Sequence, residues 1–299
     1  MTMNGNVQHK PDKPGYDADA YSECVDCYFP TMTKLLNYYN MTFNNALDED
    51  VLNESPTSRW PRQFLDVGSG CGRVTLNVIL PNVPDDVEKI VGVDICENMV
   101  SYARQNNSHP RIVYEKLDIR GDVSEFLELY GPFDRIYGFN SLNRVKEQSK
   151  AWNNMAKLLK PGGECLLFYS AWYSTPDVWR ALALKERWSG FAEMWESLIP
   201  PSQDMRNTEE RLNYARSLAK DAGLELRSCE MVGIYLPVRA WSGMMTSLIP
   251  GHDTLSAEER QLLFEDANEE LQKWRRGRPN PRLADNYVIH GIKPMTGSS

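Results

Sequence analysis

The chain has 299 residues, 41% hydrophobic and 25% charged, inside the ordinary range for folded globular proteins, which excludes wholesale disorder and fibrous repeats. Lys and Arg number 33 against 41 Asp and Glu, a net charge of −8 with a pI near 5.2, the wrong sign for a general binder of phosphate backbones. No run approaches the roughly 20 apolar residues of a membrane-spanning helix, and residues 1–17 lack the apolar stretch of a secretory signal, so cytoplasmic residence is the expectation.

A prior of about 150 residues per domain allows two domains or one enlarged α/β domain. Residues 1–15 are polar, interrupted by Pro11, Pro14 and Gly15, and are expected to form a mobile tail. From Tyr21 to Tyr39 apolar residues recur at mixed three and four spacing and predict a helix that Pro30 breaks or kinks. The polar run Asp48 to Ser58 reads as a loop. Strands are then predicted at Gln63–Val67, Lys89–Asp94, Ile112–Leu117, Asp134–Phe139 and Glu164–Tyr169. Between them, helices fit Val74–Leu80, Glu97–Asn106, Val123–Tyr130 and Gln148–Leu159. A parallel sheet covered on both faces follows, because each parallel crossover needs a helix-length connection. A further helix, capped by Asn207 with Glu210 and closed by Gly223, precedes a sixth strand, Leu224–Val232, and the last strand is Tyr287–Ile292.

Two insertions interrupt the alternation. The first carries Trp172, Tyr173, Trp179, Trp188, Phe191 and Trp195, with Thr175 as expected N-cap and Pro176 in the first turn. The second carries Trp241, Met244, Met245 and a helix begun by a Ser256 to Glu259 capping box. Six of the eight tryptophans fall in these inserts. Either they form a helical lid over the carboxyl edge of the sheet, where open α/β folds bind ligands, or they glue a cap to the core. Six cysteines are too sparse for a disulfide scaffold, so Cys71, Cys96, Cys165 and Cys229 read as reduced, mostly packed thiols. Only Cys24 and Cys27 are spaced C-x-x-C, and the four histidines are scattered singly, so no metal site is expected.

Chemistry enters at Phe64-Leu65-Asp66-Val67-Gly68-Ser69-Gly70-Cys71-Gly72-Arg73, three glycines between a strand and a helix. Glycines there permit a sharp turn and close backbone approach to a ligand, while free amides at a helix start present partial positive charge. A nucleotide-like ligand is implied. The third glycine of the dinucleotide fingerprint falls on Arg73, which argues against NAD. Asp94 ends the second strand 28 residues after Asp66, where a carboxylate can accept hydrogen bonds from ribose hydroxyls. Asp118 ends the third and could accept from an adenine amino group, and Met99 could cover the adenine face. Taken singly, each such Asp also reads as a helix cap.

With Leu159-Lys160-Pro161-Gly162-Gly163 before the fifth strand, these residues make the chain resemble class I methyltransferases that use S-adenosyl-L-methionine, over about residues 62–293. The resemblance implies an α/β fold, a Rossmann-like seven-stranded mostly parallel sheet with the last strand antiparallel. It divides the chain into a tail (1–15), an N-terminal helical segment (16–60), the cofactor-binding core (61–169), a first lid insertion (170–206), a core continuation (207–232), a second lid insertion (233–285) and the last strand and tail (286–299). It implies that Asp66 and the backbone of Gly68, Ser69 and Gly70 hold the methionine portion, Asp94 the ribose, and Asp118 with Ile119 the adenine. Ile95 and Met99 join them as cofactor-binding residues, and Asn140 and Ser141 either border the sulfonium or form a polar turn without ligand contact.

A finer resemblance is to arthropod juvenile hormone acid O-methyltransferases. It is carried by Val91-Gly92-Val93-Asp94-Ile95, Glu97-Asn98-Met99-Val100, Tyr102-Ala103, Leu117-Asp118-Ile119-Arg120-Gly121-Asp122, Phe133-Asp134 and Cys165-Leu166-Leu167-Phe168, with Asp177-Val178 and Lys185-Glu186-Arg187-Trp188 in the lid. It implies methylation of the carboxylate of a small apolar acid of the farnesoic acid or juvenile hormone acid kind. The chain departs from the pattern after the fourth strand, where Leu142-Asn143-Arg144 replaces Leu-His-Trp, and near the N-terminus, where Tyr28 stands in place of a glutamine. Candidate acceptor contacts are therefore Tyr28, Asn143, Arg144 and Trp172. Arg144 could pair bidentately with a carboxylate or be a solvated helix-start residue. An amine, a phenol or another lipid acid as acceptor, and a non-catalytic binding relative, remain the alternative readings.

Overall fold

The computed structural model describes residues 16–40, 61–234, 249–276 and 283–295. The expected tail, the loop from Asp48 to Ser58 and the stretch with Trp241, Met244 and Met245 lie outside the described residues. Seven strands form one sheet: β1 (Gln63–Val67), β2 (Lys89–Asp94), β3 (Ile112–Lys116), β4 (Phe133–Phe139), β5 (Leu159–Tyr173), β6 (Glu225–Ile234) and β7 (Ala284–Ile292). Their order is β3-β2-β1-β4-β5-β7-β6. β1 to β5 run parallel, and β7 pairs antiparallel with both β5 and β6.

Side chains alternate across this sheet with the period of two that strands impose, and each face has its own cover. Phe64, Ile90, Tyr137, Leu166, Phe168 and Val288 pack with Met32, Leu36 and Tyr39 of α2 (Phe29–Asn40) and with Val100 and Ala103 of α3 (Glu97–Asn106). On the opposite face Leu65, Val91, Ile136, Leu167 and Ile289 pack with Phe126 of α4 (Ser124–Tyr130), Trp152 and Met155 of α5 (Gln148–Leu158), and Ala215 and Leu218 of α8 (Thr208–Asp221). Burial on both faces explains why β1 reads as a continuous run with every residue buried.

Several boundaries differ from the sequence reading. The helix expected over Tyr21–Tyr39 is two helices, α1 (Ala18–Cys24) and α2, joined by a tight 3₁₀ turn at Val25–Tyr28. The break comes one turn before Pro30, which sits in the first turn of α2, where its missing amide hydrogen costs nothing. Val74–Leu80 is a wide π-helical turn, Thr75–Ile79, closed by a 3₁₀ turn over Leu80–Asn82 that contains Pro81. β5 runs well beyond Glu164–Tyr169 at both ends and includes Leu159 to Gly163, because β4 pairs with it from Phe133 and β7 follows it to Ala284. Polar Ser170, an apparent strand end, is held by donating to Asn286 Oδ1 at 2.6 Å.

The insertions supply α6 (Thr175–Ala183), α7 (Ala192–Ser197) and α9 (Ala257–Arg275). The residue before α6 is Ser174, so Thr175 is the first helical residue and not the cap. Trp179, Trp188, Phe191 and Trp195 are buried with Leu263, Ala267 and Leu271 in a third cluster separate from both sheet faces. Trp188 Nε1 donates to Asp266 at 2.7 Å and Trp195 Nε1 to the Pro250 carbonyl at 3.1 Å. These tryptophans thus pack the helices of the two insertions against one another. Among the cysteines read as packed thiols, Cys71, Cys96 and Cys165 are buried and Cys229 only partly so. No helix among the described residues is long and apolar enough to cross a membrane.

Both halves of the capping box at α9 form: Ser256 Oγ accepts from the Glu259 amide at 3.3 Å, and Glu259 Oε2 accepts from the Ser256 amide at 2.8 Å. Ser256→Ala is expected to cost about 1 kcal/mol in urea unfolding, with Ser256→Thr recovering most of it.

Candidate cofactor and acceptor site

Strand order reverses between β1 and β4, so the loops leaving their carboxyl ends diverge and open a crevice. A cavity of about 450 Å³ lies there. The glycine loop after β1 forms its floor, with Gly68, Gly70 and Gly72 at φ +77°, +54° and +82°. The Gly68 and Ser69 amides both donate to the Val93 carbonyl, at 2.7 and 2.9 Å, which folds the loop back over β2. At Gly68 the requirement is absolute in space as well as torsion: a Cβ there would fall 2.2 Å from Ser141 Cβ. The loop and the turn after β4 therefore approach as closely as backbone permits.

Asp94, at the end of β2, faces this bend. Its Oδ2 accepts from the Gly70 amide at 3.0 Å and its Oδ1 from the Cys96 amide at 2.8 Å. Burial pushes the carboxyl above its ordinary range, while the Cys96 and Gly70 amides pull it back. Asp118, two residues beyond the end of β3 and not its last residue, is gripped by Arg120: Nε donates to Oδ1 at 2.9 Å, Nη2 to Oδ2 at 2.8 Å and the Arg120 amide to Oδ1 at 3.0 Å. These hydrogen bonds hold its carboxyl below the usual value. Asn140 has φ +54° and donates its amide to the Phe168 carbonyl at 2.7 Å, a left-handed turn that Asn tolerates better than most residues. Among the described residues the buried hydroxyls of Ser69 and Ser141 have no hydrogen-bond partner.

Of the expected cofactor residues, Gly68, Gly70, Asp94, Ile95, Met99, Asp118, Ile119, Asn140 and Ser141 line the cavity together. Asp66 and Ser69 do not. Asp66 is buried beneath the loop, where Thr75 Oγ1 donates to its Oδ2 at 2.6 Å, so it braces the floor from below. Of the acceptor candidates only Arg144 lines the cavity. Its guanidinium carbon sits 5.4 Å from the centre of the Tyr16 ring and 5.2 Å from that of Trp179, a stacked position and not that of a solvated helix-start arginine. Tyr28 packs against the apolar face under α2. Asn143 is buried, its carbonyl accepting from the Tyr173 hydroxyl at 3.2 Å. Trp172 faces Trp274 at 6.3 Å between ring centres.

The structure adds lining residues that the sequence reading missed. Tyr16 and Tyr21 come from the N-terminal segment, and Gly190, Glu193, Met194, Ser197 and Leu198 from the first insertion. Tyr21 is brought in because Arg73 grips Asp26 with two hydrogen bonds, one of 2.9 Å from Nε to Oδ1 and a second from Nη2 to Oδ2, docking the 3₁₀ turn on the loop. No local pattern announces such a contact. Arg120 had a signal, a basic residue two positions after Asp118.

A sheet that reverses at β1 and β4, a glycine bend at that reversal and an acidic residue ending β2 define a site for an adenosyl ligand. The family model for a methyltransferase domain matches residues 62–199. Juvenile hormone acid O-methyltransferase of Drosophila melanogaster is 30% identical over 208 residues, 68% of either chain. The chain belongs to the class I S-adenosylmethionine-dependent methyltransferases. Within that class it is similar to the juvenile hormone acid O-methyltransferases, the Bombyx mori protein of that name being 28% identical over 173 residues. That match spans 58% of this chain and only 61% of the silkworm protein's length. Among solved structures, Haemonchus contortus phosphoethanolamine N-methyltransferase 2 in complex with S-adenosyl-L-methionine is 16% identical with a TM-score of 0.46, over 84% of this chain and 53% of the other. The residues present fit this cofactor: the Gly68 bend leaves no room for a side chain, and an unpartnered Ser141 hydroxyl stands in the cavity wall.

Two outcomes follow. Asp94→Ala is expected to weaken S-adenosylhomocysteine binding by about 1–3 kcal/mol in calorimetric titration, the scale of hydrogen bonds to a charged group; unchanged affinity in a folded variant removes Asp94 from the site. Asp66 is raised by burial to about 7, above the value of about 4 in an unfolded chain. The fold therefore favours its protonated form, and ionising it costs stability as pH rises from about 4 to about 7. Asp66→Asn removes that cost, so its stability relative to the parent should grow through this window, by at most about 1.4 kcal/mol per pH unit, and level off above it. Urea unfolding of both proteins across the window measures the difference, and a pH-independent gap refutes the assignment.

Proposed function

We propose that the chain transfers a methyl group from S-adenosylmethionine to the carboxylate of a small apolar acid, of the farnesoic acid or juvenile hormone acid kind. When bound, the cofactor supplies an electrophilic methyl group on a sulfonium. In this reading Gly68 and Gly70 offer backbone to its methionine portion, Asp94 holds the ribose hydroxyls, Asp118 and Ile119 meet the adenine with Met99 against its face, and Asn140 and Ser141 border the sulfur. The observation that carries the acceptor assignment is Arg144 in the wall of the same cavity. The rings of Tyr16 and Trp179 lie 5.4 and 5.2 Å from its guanidinium carbon and help hold it in place, and a planar guanidinium fork matches a carboxylate.

The chemistry asks little else of the protein. A carboxylic acid with a pKa of about 4 is already ionised near neutral pH, so the acceptor needs no general base and the chain's work is to align two reactants and exclude water. Leu142, Val145, Met194 and Leu198 line the cavity with apolar surface, and burying a hydrocarbon tail there is favourable by roughly 25 cal/mol per Å². The names of the insect relatives support the same acceptor class. Six free thiols agree with a reducing, cytoplasmic setting.

With labelled donor and a panel of apolar acids, phenols and amines, the acids are expected to accept the label, and turnover of only non-carboxyl acceptors overturns the assignment. Arg144→Gln is expected to raise KM for the acid about 10-fold or more, the scale of a lost charged hydrogen bond, while S-adenosylhomocysteine affinity stays within about threefold of the parent.

A further inference from the structure

Two arginines line the cavity, Arg120 and Arg144, and they are placed differently. Arg144 lies between rings, whereas Arg120 spends its fork on Asp118. A carboxylate oxygen has about two lone-pair sites. Asp118 Oδ1 accepts twice, from the amide and from Nε of Arg120, so its sites are filled. Oδ2 accepts once, from Nη2 at 2.8 Å, and one site remains. The backbone that carries this pair is itself held: the Gly121 amide donates to the Asp118 carbonyl at 2.9 Å, and Asn154, buried on α5, donates to the Ile119 and Gly121 carbonyls at 2.8 and 2.7 Å.

We propose that Arg120 is a positioning residue for base recognition: by gripping Asp118 through both carboxylate oxygens it leaves Oδ2 with a single acceptor site, directed at the amino group of the cofactor's adenine. The proposal rests on the reading above that Asp118 meets the adenine. Two chemical consequences separate it from a mere surface ion pair. A purine with hydrogen in place of the amino group has no N–H to give there and leaves the Oδ2 lone pair without a partner. A lysine at position 120 keeps the charge but has no planar fork, so it cannot hold both oxygens at once. The pair is 30% and 39% exposed, so substitution there does not open the core.

The test compares S-adenosylhomocysteine with its purine analogue, in which hydrogen replaces the amino group, by calorimetric titration of the full chain. The parent is expected to prefer the adenine form by about 10-fold or more, the scale of a charged hydrogen bond. Arg120→Lys and Arg120→Gln are expected to shrink the preference to about threefold or less, with the unfolding temperature of the unliganded protein little changed. Asp118→Ala serves as the reference. If it abolishes the preference while both Arg120 variants retain it in full, Arg120 does not position the carboxylate and the inference fails alone. If Asp118→Ala leaves the preference intact, Asp118 does not meet the base, and both the inference and the reading beneath it fall.

Discussion

The hydrogen bond from the Gly70 amide to the Asp94 carboxylate closes the gap between the carboxyl ends of β1 and β2, and the cavity takes its shape from it. A loop with three residues at positive φ has little intrinsic preference for one arrangement. Here the Val93 carbonyl takes the Gly68 and Ser69 amides, Asp94 takes that of Gly70, and Asp66 and Thr75 brace the bend from beneath. The bend that a ligand meets is thus fixed before it arrives, which lowers the ordering cost of binding.

Around this fixed floor the walls come from separate parts of the chain. The cap has its own apolar cluster, distinct from the two faces of the sheet, and reaches the cavity through α7 and the turn before it. The N-terminal segment reaches it through Tyr16 and Tyr21, tied down by Arg73 and Asp26. Arg144 stands where these two walls meet, over a ring from each, Tyr16 and Trp179. Floor and walls are in this way built from different structural layers, and the walls can vary in sequence without disturbing the glycine loop.

The sheet and the cofactor floor were readable from local pattern, because a buried strand, a glycine bend and a strand-end Asp each have a short-range signature. β1, β2 and α3 fall on their expected bounds, and nine of the expected cofactor residues share one cavity. Asp66 stands apart from those nine: period two along β1 puts it on the face opposite Leu65 and Val67, beneath the loop. The acceptor side was less readable. Tyr16 and Tyr21 line the cavity from a segment docked by the Arg73–Asp26 contact, which spans 47 residues, and Trp172, an attractive aromatic by composition, packs at a tilt against Trp274. Which side chains meet there depends on tertiary docking, which no window of neighbouring residues encodes.

β7 comes last among the described strands yet lies inside the sheet, hydrogen-bonded to β5 on one side and β6 on the other. During synthesis, β5 and β6 therefore emerge with raw, unsatisfied backbone edges, and neither can be sealed until residues 284–292 have left the ribosome. Such edges invite mispairing with other nascent chains. The closing strand acts as a keystone, and the interval before its arrival is the time when this protein most needs a chaperone.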